Sequence, residues 1–148
     1  RYSVNIGYDF NWKIKHSTSL SFMSSQREDN SFYNNDAKYF STAFTLNSYW
    51  TRALVSNFNA IYYNSKIALE NYEYVSISIG GKYLMLNDNL ELSLNYSPSF
   101  GDFNRHAIDL VAAYQIIPKL WARGQMRYYT VPDVSANTIA GVSVSYNF

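Results

Sequence analysis

The stretch TIAGVSVSYNF, which spans Thr138–Phe148, alternates between apolar side chains and small or polar ones. A repeat of period two predicts a β-strand with one apolar face and one polar face. A soluble protein turns such an apolar face toward its core, whereas a membrane barrel turns it toward lipid and keeps the polar face for its lumen. The other segments of the chain have to distinguish these two arrangements.

Eight more segments alternate in the same way, and no amphipathic helix is evident. Together with the last segment they predict nine strands in one all-β domain covering residues 1–148. Each strand is about 9–12 residues long, which matches the roughly 9–11 residues that a tilted strand needs to cross a bilayer. The eight segments are, approximately, Tyr2–Trp12, Ser17–Gln26, Lys38–Asn47, Arg52–Tyr63, Tyr74–Leu86, Leu90–Phe100, His106–Ile116 and Leu120–Thr130.

The composition excludes several classes of function. With a net charge of +1 and 16% charged residues, the chain lacks the basic surface that binds nucleic acid. Cysteine is absent, which excludes disulfides, thiolate catalysis and cysteine-based zinc sites. No apolar run reaches the roughly 18 residues of a transmembrane helix. The 15 Tyr, beside many Ser and Asn, are typical of a barrel whose Tyr lie at the lipid–water boundary.

The connections between the predicted strands alternate in length. Short ones lie around KIKH, SYW, NDN and IPK, and longer, more polar ones lie at Gln26–Asp36, Asn64–Tyr72, Gly101–Arg105 and Val131–Ser135. This alternation, with aromatic residues in two girdles near the strand ends, predicts a transmembrane antiparallel up-and-down β-barrel with short periplasmic turns and longer surface loops. A soluble antiparallel barrel or sandwich is the alternative.

The last strand resembles the C-terminal strand of bacterial outer-membrane β-barrel proteins. Those proteins commonly end in an aromatic residue, usually Phe, with apolar residues at alternate positions before it. This chain matches that assembly signal at Ala140, Val142, Val144, Tyr146 and Phe148. The resemblance implies a location in the bacterial outer membrane, contact with lipid and lipopolysaccharide, and recognition by the barrel-assembly machinery during insertion. It identifies a class of proteins and no particular member.

The predicted number of strands departs from that class. Bacterial single-chain barrels have an even number of strands, and both chain ends usually lie in the periplasm. Either the protein is a small closed barrel of eight or ten strands, or these strands are the C-terminal part of a larger barrel. In the second case we expect further strands, from upstream sequence or a partner subunit, beside Tyr2–Trp12 and Ala136–Phe148.

Few charged residues fall on the predicted polar faces. These candidate lumen-facing charges are Asp9, Lys82, Glu91, Asp109, Arg123 and Arg127. If the chain turns at Ile117–Pro118, Asp109 lies directly across from Arg127, which predicts a cross-strand ion pair inside the barrel. A selectivity filter or a solute-binding patch is the functional alternative. Most other inward residues are small, which predicts a wide, water-filled or plugged lumen.

Three functions are compatible with these features. We favour the wall of a pore or transport conduit, and the alternative is a small closed barrel with a structural, adhesive or docking role. The third is a lipid-modifying enzyme, which would need a Ser/His pair near the outer rim. Only His106, which follows Ser97 and Ser99, is placed for such a pair.

No cofactor is predicted, and no metal site either, because His16 and His106 fall at opposite rims and cannot share an ion. The loop Gln26–Asp36 carries a mixed run of charges. It is usual for such a loop to be only solvated, and contact with lipopolysaccharide, divalent ions or an extracellular partner is the alternative.

Overall fold

The computed structural model describes residues 1–28, 36–67, 70–132 and 134–146, without the side chain of Val134. These residues form nine β-strands, and none of them belongs to a helix that could cross a membrane. The strands are β1 (Tyr2–Trp12), β2 (Ile14–Arg27), β3 (Ala37–Tyr49), β4 (Leu54–Ile67), β5 (Glu70–Met85), β6 (Leu90–Gly101), β7 (Arg105–Ile117), β8 (Leu120–Val131) and β9 (Val134–Tyr146).

All nine strands lie in one antiparallel sheet in the order β1 to β9, so each strand pairs with its neighbours in sequence. The predicted all-β, up-and-down arrangement is therefore confirmed. Within the described residues β1 pairs only with β2 and β9 only with β8, so the sheet is not closed. These two strands are also very exposed, with Tyr2 at 82% and Val142 at 85%.

The cross-strand register keeps the alternating side chains on two continuous faces of the sheet. The side that we call the apolar face contains Ile6, Leu20, Phe44, Phe58, Ile79, Leu94, Leu110, Met126 and Val142. The opposite side, the polar face, contains Asp9, Ser19, Thr45, Asn59, Ser78, Asn95, Asp109 and Arg127.

The apolar face is the more exposed of the two. On β6 and β7, Leu94 is 55% and Leu110 43% exposed, whereas Ser99 and Ala107 on the polar face are only 3% and 2% exposed. No large side chain is fully buried in the part of the chain that the structure describes. A sheet with one buried face normally shields its apolar side, so this distribution is the inverse of a soluble core.

The strands extend further than the sequence predicted. β4 ends at Ile67 instead of Tyr63, and β5 begins at Glu70 instead of Tyr74. The added residues are mostly polar, and they continue the ladder, for example between Lys66 and Asn71.

Because of these extensions, the predicted alternation of short and long connections is wrong at three places. The loops expected at Asn64–Tyr72, Gly101–Arg105 and Val131–Ser135 leave only residues 68–69, 102–104 and 132–133 between strands. Polar side chains mark where the apolar band ends, but backbone hydrogen bonding continues past that point. The expected loop Gln26–Asp36 falls mostly outside the described residues.

The aromatic residues near the strand ends divide between the two faces. Tyr63 and Tyr74 lie directly across from each other on the polar face, with ring centroids 5.1 Å apart. Trp121 and Tyr129 also lie on that face. The two girdles predicted for the apolar face therefore contain only part of the aromatic residues. The prediction used the position of each residue along its strand and not the face on which its side chain lies.

Tight turns close the hairpins at one end of the sheet, the end away from Arg27 and Ala37. Lys13 and Lys119 occupy the left-handed region with φ of 60° and 74°, as the turns of short hairpins require. Arg52 and Asp88, in the β3–β4 and β5–β6 turns, form an ion pair at 2.9 Å. We call this end the short-turn end.

Candidate functional site

The polar face carries the charged and hydrogen-bonding groups from which a site can be built. All six charged residues singled out in the sequence lie on it: Asp9, Lys82, Glu91, Asp109, Arg123 and Arg127. They do not converge on one point, because they are spread over five strands. Whether this face lines a lumen stays a prediction.

A transverse row of polar groups crosses the middle of this face. In register, the row runs through Asn57, Gly80, Asn95, Asp109 and Arg127. The predicted register of Asp109 against Arg127 is the observed one, and the Arg127 guanidinium donates a hydrogen bond to the carboxylate. The row is therefore held together by direct side-chain contacts at its β7–β8 end.

Neutral side chains in the same region bond to one another. Ser78 donates to the Asn95 amide oxygen at 2.8 Å, and Asn59 donates to the Thr45 hydroxyl at 2.9 Å. Pairs of this kind satisfy polar groups that a sheet would otherwise leave half-buried without partners. They make the central polar face a fixed surface of amides and hydroxyls.

Gly80 permits the close approach of this central cluster. A Cβ at this position would lie 2.6 Å from the Asn95 amide oxygen and 2.7 Å from the Leu94 carbonyl oxygen. Because the Leu94 oxygen belongs to the backbone, the contact cannot be relieved by a side-chain rotation alone. The absence of a side chain at this position is thus part of the geometry of the row.

We expect Gly80→Ala to destabilise the folded protein by about 1–3 kcal/mol, the usual cost of overpacking. Gly124→Ala is the matched control, since a Cβ there meets nothing within 4 Å. Removing glycine at an unstrained position should be neutral or stabilising by about 0.4–1 kcal/mol. Chemical denaturation followed by tryptophan fluorescence measures both variants, and equal effects would contradict the role given to Gly80.

Three of the polar-face acids are neutralised by neighbouring bases. Lys15 lies 3.5 Å from Asp9 and Lys82 lies 3.3 Å from Glu91, in addition to the direct pair of Arg127 with Asp109. All three pairs are partly solvated, so each contributes little to stability. The pairs matter for the electrostatics of the face, because the two opposite charges of each pair cancel and leave no net charge at that place.

Arg123 has no such partner. It lies across from Ala113 on β7 and Ser143 on β9, and neither of these residues carries a negative charge. Within the described residues its guanidinium forms no ion pair and no hydrogen bond. A cavity of about 320 Å³ lies beside it, and its lining includes Val111, Gln125 and Ile139.

Arg105, at the end of the polar face away from the short turns, is another base without a carboxylate partner in the described part of the chain, and so is Arg27 on β2. The Arg105 guanidinium lies 5.3 Å from the centroid of the Phe103 ring, and its Nε atom is buried without a hydrogen-bond partner. Arg105 and Lys15 are not among the charges predicted for the polar face, because the predicted strands begin at His106 and Ser17. Each lies one or two residues before that start, and continuing the alternation would have placed it on the polar face.

The two histidines lie on the apolar face, on the side of the sheet opposite Ser97 and Ser99. His106 Nδ1 is 2.8 Å from the Tyr96 hydroxyl, whereas Ser99 bonds to Ser76 on the polar face. His16 stacks on Phe10 with ring centroids 4.8 Å apart and bonds to Ser48. The described residues thus do not bring His106 together with Ser97 or Ser99 as a nucleophile–base pair.

The apolar face of β9 carries the residues of the expected assembly signal. Ala140, Val142, Val144 and Tyr146 lie across from alternate residues of β8. Phe148 lies outside the described residues, and the role of this strand in assembly stays a prediction. In residues 1–28, 36–67, 70–132 and 134–146, no group of three His, Cys, Asp or Glu side chains is placed to bind a metal ion.

Comparison with known proteins identifies a fold relative. No family profile and no curated protein sequence matches the chain. The fold is similar to that of the anion-selective porin from Comamonas acidovorans, with a TM-score of 0.67 at 13% sequence identity. The similarity covers 97% of this chain and 44% of the porin chain, so the chain spans less than half of the porin's length. At this identity the likeness shows a porin-like β-barrel fold.

Proposed function

We propose that the chain forms part of the wall of a water-filled pore in the bacterial outer membrane. The observation that carries the proposal is the inverted exposure of the sheet, whose polar face is shielded while its apolar face is open. That is the distribution required of a barrel wall with lipid outside and water inside. The porin-like fold supports it. In this arrangement the short turns face the periplasm, and the opposite end of the sheet, where β2 and β4 end, faces the cell surface.

We further propose that the pore favours anions. On the polar face, three acids are paired with three bases. The remaining charges are three bases, Arg27, Arg105 and Arg123, and one acid, Glu70, so positive charge is in surplus. A surplus of one sign along a water-filled passage raises the local concentration of ions of the opposite sign. The structural relative is an anion-selective porin, which agrees with the sign of this surplus.

The proposal is tested by reversal potentials of the full-length protein in planar lipid bilayers under a KCl gradient. We expect an open channel with an anion preference, and Arg123→Gln should lower the ratio of anion to cation permeability about two- to four-fold at low salt. The effect should shrink as salt rises, because mobile ions screen the charge.

Arg52→Gln is the matched control. It removes the same charge from a turn, where Arg52 already pairs with Asp88 outside the polar face. We expect this variant to leave the reversal potential unchanged. No conductance from correctly folded protein would contradict the pore, and a cation preference or equal effects of the two variants would contradict the anion assignment.

The two alternative functions have less support. A small closed barrel would require β1 to pair with β9, and the described residues do not form that pairing. A lipid-modifying enzyme would require a Ser/His pair near the outer rim, but there the His106 ring bonds to Tyr96, and the hydrogen-bonded pair of His16 and Ser48 lies at the short-turn end. Neither alternative accounts for the uncompensated arginines of the polar face.

A further inference from the structure

Two lysines lie side by side on the apolar face, at the end of the sheet away from the short turns. Lys38 on β3 is directly across from Lys66 on β4. The same transverse row continues to Gln26 on β2 and Asn71 on β5, so the lysines have an amide on either side in register. Two acids lie near this row: Glu28 accepts a hydrogen bond from the Gln26 amide at 3.2 Å, and Glu73 lies directly across from Asn64. The two lysines are a cationic pair at the polar end of the apolar face.

Among the described residues, Lys38 and Lys66 form no ion pair and no hydrogen bond. Like charges directly opposite each other on neighbouring strands destabilise a sheet, because their Cβ atoms are only about 4.5–5.5 Å apart. An anion bound between the two ammonium groups would remove this repulsion.

A small depression lies next to Lys38 on the same face. Its volume is about 130 Å³, and its lining includes Ser24, Gln26, Lys38, Phe40 and Asn64. These residues offer a hydroxyl, two amides and an ammonium group at a position where the face should be hydrocarbon. Groups of this kind are donors suited to phosphate and sugar oxygens.

Aromatic rings lie directly below the lysines, toward the middle of the sheet. Phe40, the next residue after Lys38 on this face of β3, packs edge-on against Tyr62 at 6.1 Å between centroids, and Phe44, nearer the middle of the sheet, lies tilted against Phe58 at 6.2 Å. From this end of the apolar face toward the middle of the sheet, the lysines thus come first, the polar depression second and the aromatic rings third. A phosphorylated lipid has the same order, with a charged headgroup above acyl chains.

The height of the lysines agrees with the level of lipid headgroups. From Leu54, where β4 begins, the chain rises about 30 Å along the membrane normal to reach Lys66, at about 3.3 Å per residue and a tilt of about 40°. The apolar band of such barrels is about 25 Å tall, so both ammonium groups lie just beyond it.

We propose that Lys38 and Lys66, with Ser24, Gln26 and Asn64, bind a phosphate of the phosphorylated glycolipid of the outer leaflet, the lipid A part of lipopolysaccharide. The glycolipid is favoured over a phospholipid because the amides and the hydroxyl match its sugar oxygens and because this end of the sheet is the proposed cell-surface end. The inference rests on the proposed membrane placement and does not depend on conduction.

The test is native mass spectrometry of the full-length protein in detergent, titrated with bisphosphorylated lipid A. The double variant Lys38→Gln/Lys66→Gln is compared with Lys13→Gln/Lys119→Gln, which removes the same charge from the short-turn end. We expect the first pair of substitutions to weaken binding at least ten-fold and the second pair to have no effect. Dephosphorylated lipid A should bind as weakly to the wild type as the intact lipid binds to the first double variant.

The outcomes of this test distinguish the proposed lipid A site from the proposed pore. Equal binding by the two double variants, or undiminished binding of dephosphorylated lipid A, would overturn the site. Equal competition by phosphatidylglycerol would overturn the assignment to a glycolipid. Folding is checked by the shift in gel mobility between unheated and boiled protein, and insertion by flotation with vesicles. If folded wild type failed to insert, the proposed function would fall first, whereas an inserted channel without lipid A binding would overturn this inference alone.

Discussion

Replacing Leu94 by Arg is expected to destabilise the protein folded in a bilayer by about 2–4 kcal/mol, the cost of a cation on the lipid-facing side of a barrel near the midplane. Leu94 lies on the apolar face, directly across from Leu110 on β7 and Gly81 on β5. It is 55% exposed with no polar group of the protein beside it in register. In a soluble protein an Arg at such an exposed position would be nearly harmless.

Ser93→Arg is the matched control, one residue away on the polar face and in the same strand. Ser93 lies across from Lys82, which is already paired with Glu91. In a water-filled lumen the guanidinium stays solvated, so even with this neighbour we expect a cost below about 1 kcal/mol. Reversible folding of the full-length protein into lipid vesicles, followed by tryptophan fluorescence, gives both free energies. Equal penalties at the two positions would contradict the assignment of the apolar face to lipid.

The arrangement of strands could be predicted from the sequence because the alternation is strongest in the middle of each strand. Around Ile77 and Leu94 every second residue is apolar, which fixes both the element and its phase. The pair Asp109 and Arg127 followed from the position of the Ile117–Pro118 turn, because a hairpin turn sets the register of the strands that it joins. The observed register agrees.

The ends of the strands could not be predicted, because there the side chains no longer alternate between apolar and polar although the backbone is still paired. Lys66 and Asn71 are polar on what should be the apolar face, so their pairing had no signal in the alternation. For the same reason, Lys15 and Arg105 were not among the charged residues expected on the polar face. The positions of unpaired charges therefore needed the structure.

The face of an aromatic residue depends on phase as well as on position. Trp121 lies near the short-turn end as expected, but it lies on the polar face across from Gln115. Similarly, the juxtaposition of Lys38 and Lys66 depends on the register across the turn at residues 50–53, which no sequence pattern specifies. The periodicity of single strands therefore could not predict a candidate site that is formed by residues of two strands.

The last prediction is that these 148 residues do not form a stable barrel alone. An up-and-down sheet of nine strands would have to close through a parallel pair of β1 with β9, whereas closure in bacterial single-chain barrels is antiparallel. Left unpaired, β1 and β9 would expose backbone donors and acceptors to hydrocarbon at several kcal/mol for each unsatisfied group. Further strands, from the same protein or a partner subunit, should therefore lie against both edges.

Amide hydrogen exchange compares the full-length protein with this chain alone in the same detergent. In the full-length protein we expect the amides of β1 and β9 to be as protected as those of β4 and β5, because further strands pair with both edges. In the chain alone these amides should exchange quickly. Because the sequence has no cysteine, the pair Val4→Cys and Val144→Cys gives an independent check. An efficient disulfide between these positions in the folded protein would show that β1 and β9 are neighbours, and the barrel would then be small and self-contained.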